Sequence, residues 1–201
     1  MVSPSKLEQR LATYQALVTE ARRQFARDGY AAVSLAGIVD AVGLTKGALY
    51  HHFPNKAALF RAVVEQVQTK VAQRVVAAAE AQTDPWPQLL AGCEAFLRAG
   101  ADPEVQRIML IDGPAVLGWD EWRALDDASS GRHLREALQA VIDDGVMAPH
   151  PVAPLAHLLS GAMNEAALWL ARSDDPRDLD DTVATLLTML EALRVRSSGA
   201  R

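Results

Sequence analysis

Side chains suited to binding a polyanion are concentrated between Ser34 and Lys56. Hydroxyl, ammonium and imidazole groups stand beside two small residues in the second half of this segment, Thr45-Lys46-Gly47-Ala48-Leu49-Tyr50-His51-His52. Donors of these kinds contact phosphates and base edges. Gly47 and Ala48 leave room for a base pair to approach the backbone closely. The chemistry predicted for this segment is contact with a nucleic acid.

The residues that usually carry catalysis form no recognised pattern in this chain. The five histidines have no metal-ligand spacing with acidic residues or with the single cysteine, Cys93. Glycine-rich phosphate loops, Gly-x-Ser-x-Gly elbows and paired-carboxylate signatures do not occur. The acidic cluster at residues 174–181 is expected to stabilise the start of the last helix through its dipole. The sequence therefore predicts no catalytic residue, metal or cofactor, and turnover of a small molecule without DNA binding would favour an enzyme instead.

The elements that position the polar segment are short helices. Ser34 can cap a helix from Leu35 to Val42, Gly43 stops that helix, and Thr45 begins the next one. Pro54 ends this helix because the residue before a proline is driven out of the helical conformation. Two helices joined by a tight glycine turn form a helix-turn-helix, whose second helix fits the major groove. The apolar residues available to fix the angle between them are Ile38, Val42, Leu44, Leu49 and Phe53.

The rest of the chain has the same helical character. An amphipathic stripe runs from Leu7 to Phe25, and Asp28-Gly29 ends that first helix. Asn55 caps a long helix to about Gln82. Further helices are predicted at about 86–100, 103–112, 119–126, 129–144, 154–173 and 177–196, with residues 197–201 frayed. The predicted fold is all-α, with an N-terminal three-helix helix-turn-helix domain at residues 1–56 and a larger helical domain at 57–201.

Charge is distributed unevenly along the 201 residues. The net charge is −5, but residues 1–56 carry seven basic and four acidic residues, a net charge of +3, and the remainder carries −8. This asymmetry concentrates attraction for phosphates at one end. No apolar run approaches the roughly 20 residues that span a bilayer, the first ten residues lack an apolar leader, and one cysteine fits a reducing compartment. We expect a cytoplasmic protein with no membrane partner.

The segment from Leu44 to Lys56, followed by Ala57-Ala58-Leu59-Phe60, resembles the DNA-binding signature of the tetracycline-repressor (TetR) family. The glycine turn, the Leu-Tyr-x-His-Phe core and the lysine after it carry the resemblance, which covers about residues 11–65. Residues 66–201 are similar to the family only in helical layout. The resemblance implies a transcriptional regulator, by default a repressor, that binds a palindromic operator in double-stranded DNA as a homodimer and responds to a small-molecule effector.

The residues that the resemblance assigns to DNA contact are Ser34, Thr45, Lys46, Tyr50, His51 and Lys56, and the small residues Gly47 and Ala48 are added because they let base edges approach closely. Lys46 and His51 would face base edges, whereas the side chains at 34, 45, 50 and 56 would hold phosphates. His52 is expected to pack against the protein instead. Gly37 and Val39 depart from the family pattern and soften the second helix by up to about 1 kcal/mol, but neither departure removes a contact.

The last two helices carry apolar faces that suit a second copy of the chain. One face comprises Leu155, Leu158, Leu159, Ala162, Met163, Ala166 and Leu170, and the other Val183, Leu186, Leu187, Leu190 and Leu193. Small residues on the first of these helices also allow close helix packing. Burial within one chain is the competing explanation for part of these positions. A two-fold dimer would place two recognition helices about one DNA turn apart.

An effector pocket is expected among the helices between about residues 86 and 170. We place Trp119 and Trp122 at this pocket, because the connection from Gly113 to Trp122 breaks a helix beside two tryptophans, and Asn164 as one of the polar groups that a mainly apolar site needs. The helix at 55–82 would transmit a ligand-induced shift in population to the DNA-binding end. Two alternatives stay open: a ligand-independent DNA-binding protein controlled by a partner protein, and an activator.

Overall fold

A computed structural model describes residues 5–195. Within this range the chain forms eleven α-helices and one π-helix without a strand, and an isolated antiparallel bridge joins Met147 to Arg194. No helix of the described range is long and apolar enough to cross a membrane. The predicted all-α class is confirmed. The frayed end predicted for 197–201 lies outside the described residues.

The N-terminal end consists of three helices, α1 (Lys6–Ala32), α2 (Leu35–Ala41) and α3 (Lys46–His52). A capping box between Ser5 and Glu8 begins α1. Gly29 interrupts this helix with φ 77°, a left-handed conformation that glycine adopts without steric cost. The regular part of α1 therefore ends at the predicted position, and a short helical segment continues beyond it.

Helix α4 (Lys56–Glu80) joins this end to the body. Asn55 begins it as predicted, since the side-chain oxygen of Asn55 accepts a hydrogen bond from the backbone N–H of Ala58 at 2.8 Å. Helix α4 packs on α1 and on α5 (Pro85–Gly100). One continuous cluster of buried apolar side chains extends from Leu17 to Leu190, so both ends of the molecule share a core.

The remaining elements of the body are α6 (Pro103–Val105), a π-helix (Gln106–Asp112), α7 (Gly113–Leu117), α8 (Trp119–Ala128), α9 (Ser130–Asp143), α10 (Val152–Leu170) and α11 (Asp178–Glu191). The segment predicted as one helix over 103–112 is a single α-turn that continues as a π-helix. Such helices are rare and occur often at functional sites. Helix α7 was not predicted, because Gly113-Pro114 usually marks a break, whereas Pro114 lies here in the first turn of a helix.

Candidate DNA-binding interface and effector cavity

Local hydrogen bonds fix the turn between α2 and α3. Ser34 Oγ accepts from the N–H of Gly37 at 3.0 Å, and Thr45 Oγ1 accepts from the N–H of Ala48 at 3.2 Å. Gly43 has φ 67°, and the N–H of Leu44 next to it donates to the carbonyl of Val39 at 2.9 Å. Each short helix thus begins at the hydroxyl residue that the sequence indicates.

Buried side chains hold α3 against the other two helices. Leu49 and Phe53 on its inner face are almost fully buried, as is Ile38 of α2. The ring of Tyr14 in α1 lies 5.1 Å from that of Phe53, centroid to centroid. A seven-residue helix is marginally stable alone, so this packing supplies the rigidity that a reading helix requires.

The outer face of α3 is polar and faces solvent. Lys46, Gly47 and His51 are exposed, and Tyr50 is 54% exposed. Thr45 at the start of the helix is exposed as well. This face therefore presents an ammonium, two hydroxyls and an imidazole to anything that approaches the N-terminal end of the molecule.

Gly47 has open space around it. A Cβ atom built on this residue would meet one atom within 4 Å, Thr45 Oγ1 at 3.9 Å. Packing within the described residues therefore does not require a glycine here. A need for close approach from outside the chain explains the residue better than the fold does.

Lys56 lies further inside than the sequence suggests. Its Nζ donates to the carbonyl of Ala31 at 3.4 Å and stands 4.2 Å from the centroid of the Tyr30 ring. Burial lowers the pKa of Lys56, and the charge of Asp112 opposes that shift. Lys56 thus stabilises the end of α1, a role that its position in the sequence did not reveal.

His52 packs against the protein, as predicted. Its ring centroid lies 6.1 Å from that of Tyr14 in an edge-on arrangement, and the residue is half-buried. Burial lowers the pKa of His52, and the neighbouring charges of His51 and Arg10 lower it further.

Two polar contacts join α1 to the π-helix region of the body. Arg22 donates from Nε and Nη2 to the two carboxylate oxygens of Glu104, each at 2.6 Å. This guanidinium holds the pKa of Glu104 below its usual value. The backbone N–H of Tyr30 donates to Asp112 Oδ2 at 2.8 Å. A movement of the π-helix would therefore act directly on the end of α1.

The body contains a cavity of about 300 Å³ whose wall comes mainly from α4, α5, α9 and α10. Its apolar lining consists of Val75, Val76, Ala79, Leu89, Gly92, Cys93, Phe96, Leu134, Ala137, Ala140 and Met163. Burial raises the pKa of the Cys93 thiol to about 12, so it lines the wall as a neutral group. A few polar residues, among them Asp126 and Ser160, complete the lining. An apolar wall with few polar groups is typical of a small-molecule site.

Trp119, Trp122 and Asn164 do not line this cavity. Trp119 is 61% exposed, and its ring lies 5.0 Å from that of Trp122. Trp122 is buried and donates from Nε1 to the carbonyl of Met109 in the π-helix at 2.7 Å. Asn164 is buried on α10. Effector contact by these three residues stays a prediction, and the structure does not bring them together around a shared space.

A buried ion pair that the sequence did not reveal lies at the cavity. Arg123 donates from Nη1 to Asp126 Oδ2 and to Ser160 Oγ, both at 3.0 Å. Asp126 is 1% exposed, and burial raises its pKa while the Arg123 charge opposes the shift. The spacing of three residues on one helix could have suggested the pair, but not its burial.

A rigid helix-turn-helix with an exposed polar reading helix, attached to a helical body with a partly open cavity, defines the class of DNA-binding regulators. The family model for "Bacterial regulatory proteins, tetR family" matches residues 17–63, and the model for "Tetracyclin repressor-like, C-terminal domain" matches residues 86–193. The chain belongs to the TetR family of bacterial transcriptional regulators.

Individual proteins show the same relationship. The HTH-type transcriptional repressor Rv1474c of Mycobacterium tuberculosis is 30% identical over 94% of this chain and 96% of its own length. The Transposon Tn10 TetC protein of Escherichia coli is 29% identical over 75% of this chain and 76% of its own length. The crystal structure of a TetR-family transcriptional regulator from Pectobacterium atrosepticum has 34% identity and a TM-score of 0.78, with 96% of this chain and 99% of that chain covered. The Mycobacterium tuberculosis and Pectobacterium atrosepticum proteins are named as transcriptional regulators.

Proposed function

We propose that the protein is a ligand-responsive transcriptional repressor that binds a palindromic operator as a homodimer. The observation that supports this most directly is the exposed polar face of α3, which is held rigidly by Leu49 and Phe53. Its surroundings are basic relative to the rest of the chain, so phosphates are attracted to the end that carries the reading helix.

Lys46 and His51 read base edges in this proposal, and the hydroxyl residues hold phosphates. The oxygens of Ser34 and Thr45 accept from their own helices, which leaves each O–H free to donate to a phosphate. Tyr50 has an exposed phenol. Lys56 keeps unused N–H donors beyond its bond to Ala31. Ala48 is half-buried beside Gly47, and its small side chain leaves room for DNA to approach this surface.

Dimer formation through α10 and α11 is supported by apolar side chains that one chain leaves uncovered. Leu158 is 72% exposed, Trp169 is 50% exposed and Met189 on α11 is 56% exposed. An exposed apolar patch of this kind marks an interaction site. The competing explanation holds for Leu159, Met163 and their buried neighbours, which belong to the core of a single chain.

The effector acts in this proposal by occupying the cavity and shifting the population of dimer conformations. Helix α4 forms part of the cavity wall and also packs on α1, so it connects the two sites. A ligand that prefers one conformation changes operator affinity by the difference in its binding free energies, typically 1–3 kcal/mol.

Selection of bound fragments from random duplex DNA by the purified full chain tests the proposal. We expect a palindrome with half-sites about 10 base pairs apart, or a multiple of that spacing. Lys46→Ala and His51→Ala should each change the selected sequence, because base contacts carry the specificity. Recovery of sequences without two-fold symmetry would refute operator binding by a dimer. If both variants selected the same sequence as the parent chain, the assignment of Lys46 and His51 to base edges would be refuted.

A further inference from the structure

An apolar notch lies between α2 and α3, beside the exposed face of the reading helix. Its volume is about 120 Å³, and its lining consists of Leu35, Ala36, Val39, Lys46, Leu49 and Tyr50. Val39 and Leu49 are at most 2% exposed and belong to the core, so they form the inner end of the notch. Val39 is also one of the two positions at which the chain departs from the family pattern.

The rim of the notch coincides with the face that the proposed function turns towards DNA. Lys46 and Tyr50 are exposed and stand one turn apart on α3, and they are assigned to a base edge and to a phosphate. Leu35 and Ala36 are half-buried in the first turn of α2. They follow directly after Ser34, whose hydroxyl is assigned to a phosphate. A base pair contacted from this face therefore lies over the notch.

An apolar recess in such a face matches one group of the major groove. Among the groups that base pairs present there, the 5-methyl group of thymine is apolar, whereas the others are hydrogen-bond donors or acceptors. A polar base edge over the notch would lose water without gaining a hydrogen bond from the side chains of Ala36 and Val39. Burial of a methyl group in the same place is favourable.

We infer that the notch binds the 5-methyl group of one thymine in each half-site, and that Ala36 sets this preference from α2. Lys46 at the rim can donate to an acceptor of the same base pair, either thymine O4 or adenine N7. The inference rests on the proposed function, since it takes α3 to enter the major groove. It goes further by naming a base of the operator and by giving α2 a part in the reading of sequence.

Replacement of single thymines by uracil in the selected operator tests the inference with the unmodified full chain, because uracil lacks only the 5-methyl group. Fluorescence anisotropy measures the affinity for each duplex. We expect one position per half-site at which uracil weakens binding about fourfold, the effect of removing one buried methyl group. Replacement at both symmetric positions should multiply the two losses to roughly 16-fold. An operator in which no thymine is sensitive to the loss of its methyl group would overturn the inference.

Two variants of α2 that carry the same substitution locate the methyl group. Ala36→Val fills the notch, so it should bind the thymine operator severalfold more weakly and should bind thymine and uracil duplexes equally. Ala41→Val is the matched control, because Ala41 is an exposed residue of the same helix outside the lining. The lower helix propensity of valine affects both variants alike, and the control should keep the full preference for thymine. A preference that survives in Ala36→Val, or that disappears in both variants, would overturn the assignment to the notch.

Failure of this inference is distinguishable from failure of the proposed function. A chain that selects a palindromic operator but binds thymine and uracil duplexes equally would overturn only the role of the notch. A chain that selects no operator would overturn both, since a base preference requires a DNA-binding protein.

Discussion

Gly47 is a residue at which folding and the proposed DNA contact make different demands. Glycine costs up to about 1 kcal/mol relative to alanine in a helix; Gly47 is the second residue of α3, and the space around it would accept a methyl group. No contact within the described part of the chain explains why a glycine stands at this position. Contact with another molecule at this point of α3 is the consistent explanation.

Gly47→Ala should therefore raise the free energy of unfolding, by up to about 1 kcal/mol, and at the same time weaken operator binding. Urea denaturation measures the first effect and fluorescence anisotropy with the selected operator measures the second. A more stable variant with undiminished DNA affinity would show that the methyl group meets nothing in the complex.

Tyr50→Phe removes only the exposed phenol oxygen and should leave stability unchanged. If the oxygen donates to a phosphate, operator and non-specific DNA should both bind roughly 10- to 150-fold more weakly, because hydrogen bonds to charged groups contribute about 1.5–3 kcal/mol. The ratio of the two affinities should stay the same, in contrast to Lys46→Ala. A change of sequence preference in Tyr50→Phe would instead assign the phenol to a base.

At the scale of elements, the contact between the end of α1 and the π-helix gives the body a second connection to the N-terminal end, besides α4. Asp112 accepts the N–H of Tyr30, next to the left-handed Gly29. The π-helix also receives the indole N–H of Trp122 at the carbonyl of Met109. It thus contacts both the DNA-binding end and α8, which carries Asp126 at the cavity.

Asp112→Ala should expose the backbone N–H of Tyr30 and lower the free energy of unfolding by about 1 kcal/mol. Hydrogen exchange at this amide should become faster. Asp112→Asn keeps an oxygen acceptor at the same place and serves as the matched control, with exchange near that of the parent chain. Unchanged exchange in Asp112→Ala would show that the contact does not hold the end of α1.

Glu104→Gln should lower stability at neutral pH by about 1 kcal/mol, since it removes a partly buried bidentate partner of Arg22. Arg22 lowers the pKa of Glu104 in the folded state, so this stabilisation is present above the ordinary value of 4.5 and is lost as the pH falls through the folded pKa. The difference between the two proteins in urea denaturation should shrink on acidification. Glu94→Gln removes one partner of an exposed pair on α5 and serves as the control, whose free energy of unfolding should differ little from that of the parent chain. A difference for Glu104→Gln that does not depend on pH would contradict the linkage.

At the scale of the whole molecule, one chain leaves apolar surface on α10 and α11 uncovered although its core is continuous. Leu158→Glu should place a charge in the proposed dimer contact and convert the protein to a monomer with weaker operator binding, because one half-site contact is lost. Sedimentation velocity measures the mass. Leu11→Glu, at an exposed leucine of α1, is the control and should stay dimeric; a dimeric Leu158→Glu would remove α10 from the interface.

The sequence was sufficient for features that depend on a few adjacent residues. Ser34, Thr45 and Asn55 begin their helices because a side-chain oxygen reaches the N–H three residues ahead, which is a local interaction. Gly29 ends the regular part of α1 and Gly43 turns the chain because of their own backbone freedom. These signals, with the helical spacing of apolar residues, established the all-α class and the helix-turn-helix.

The cavity, the π-helix and the inward position of Lys56 were decided only by the tertiary structure. The sequence pattern of apolar and charged residues along a helix is the same whether a neighbouring helix covers a residue, leaves a gap beside it or lies elsewhere. Trp119 and Trp122 are therefore equivalent in the sequence, yet Trp119 is exposed and Trp122 is buried, and nothing in the sequence indicates the burial of Asp126. Burial and cavities depend on how distant helices pack, and that packing is a property of the whole chain rather than of any local segment.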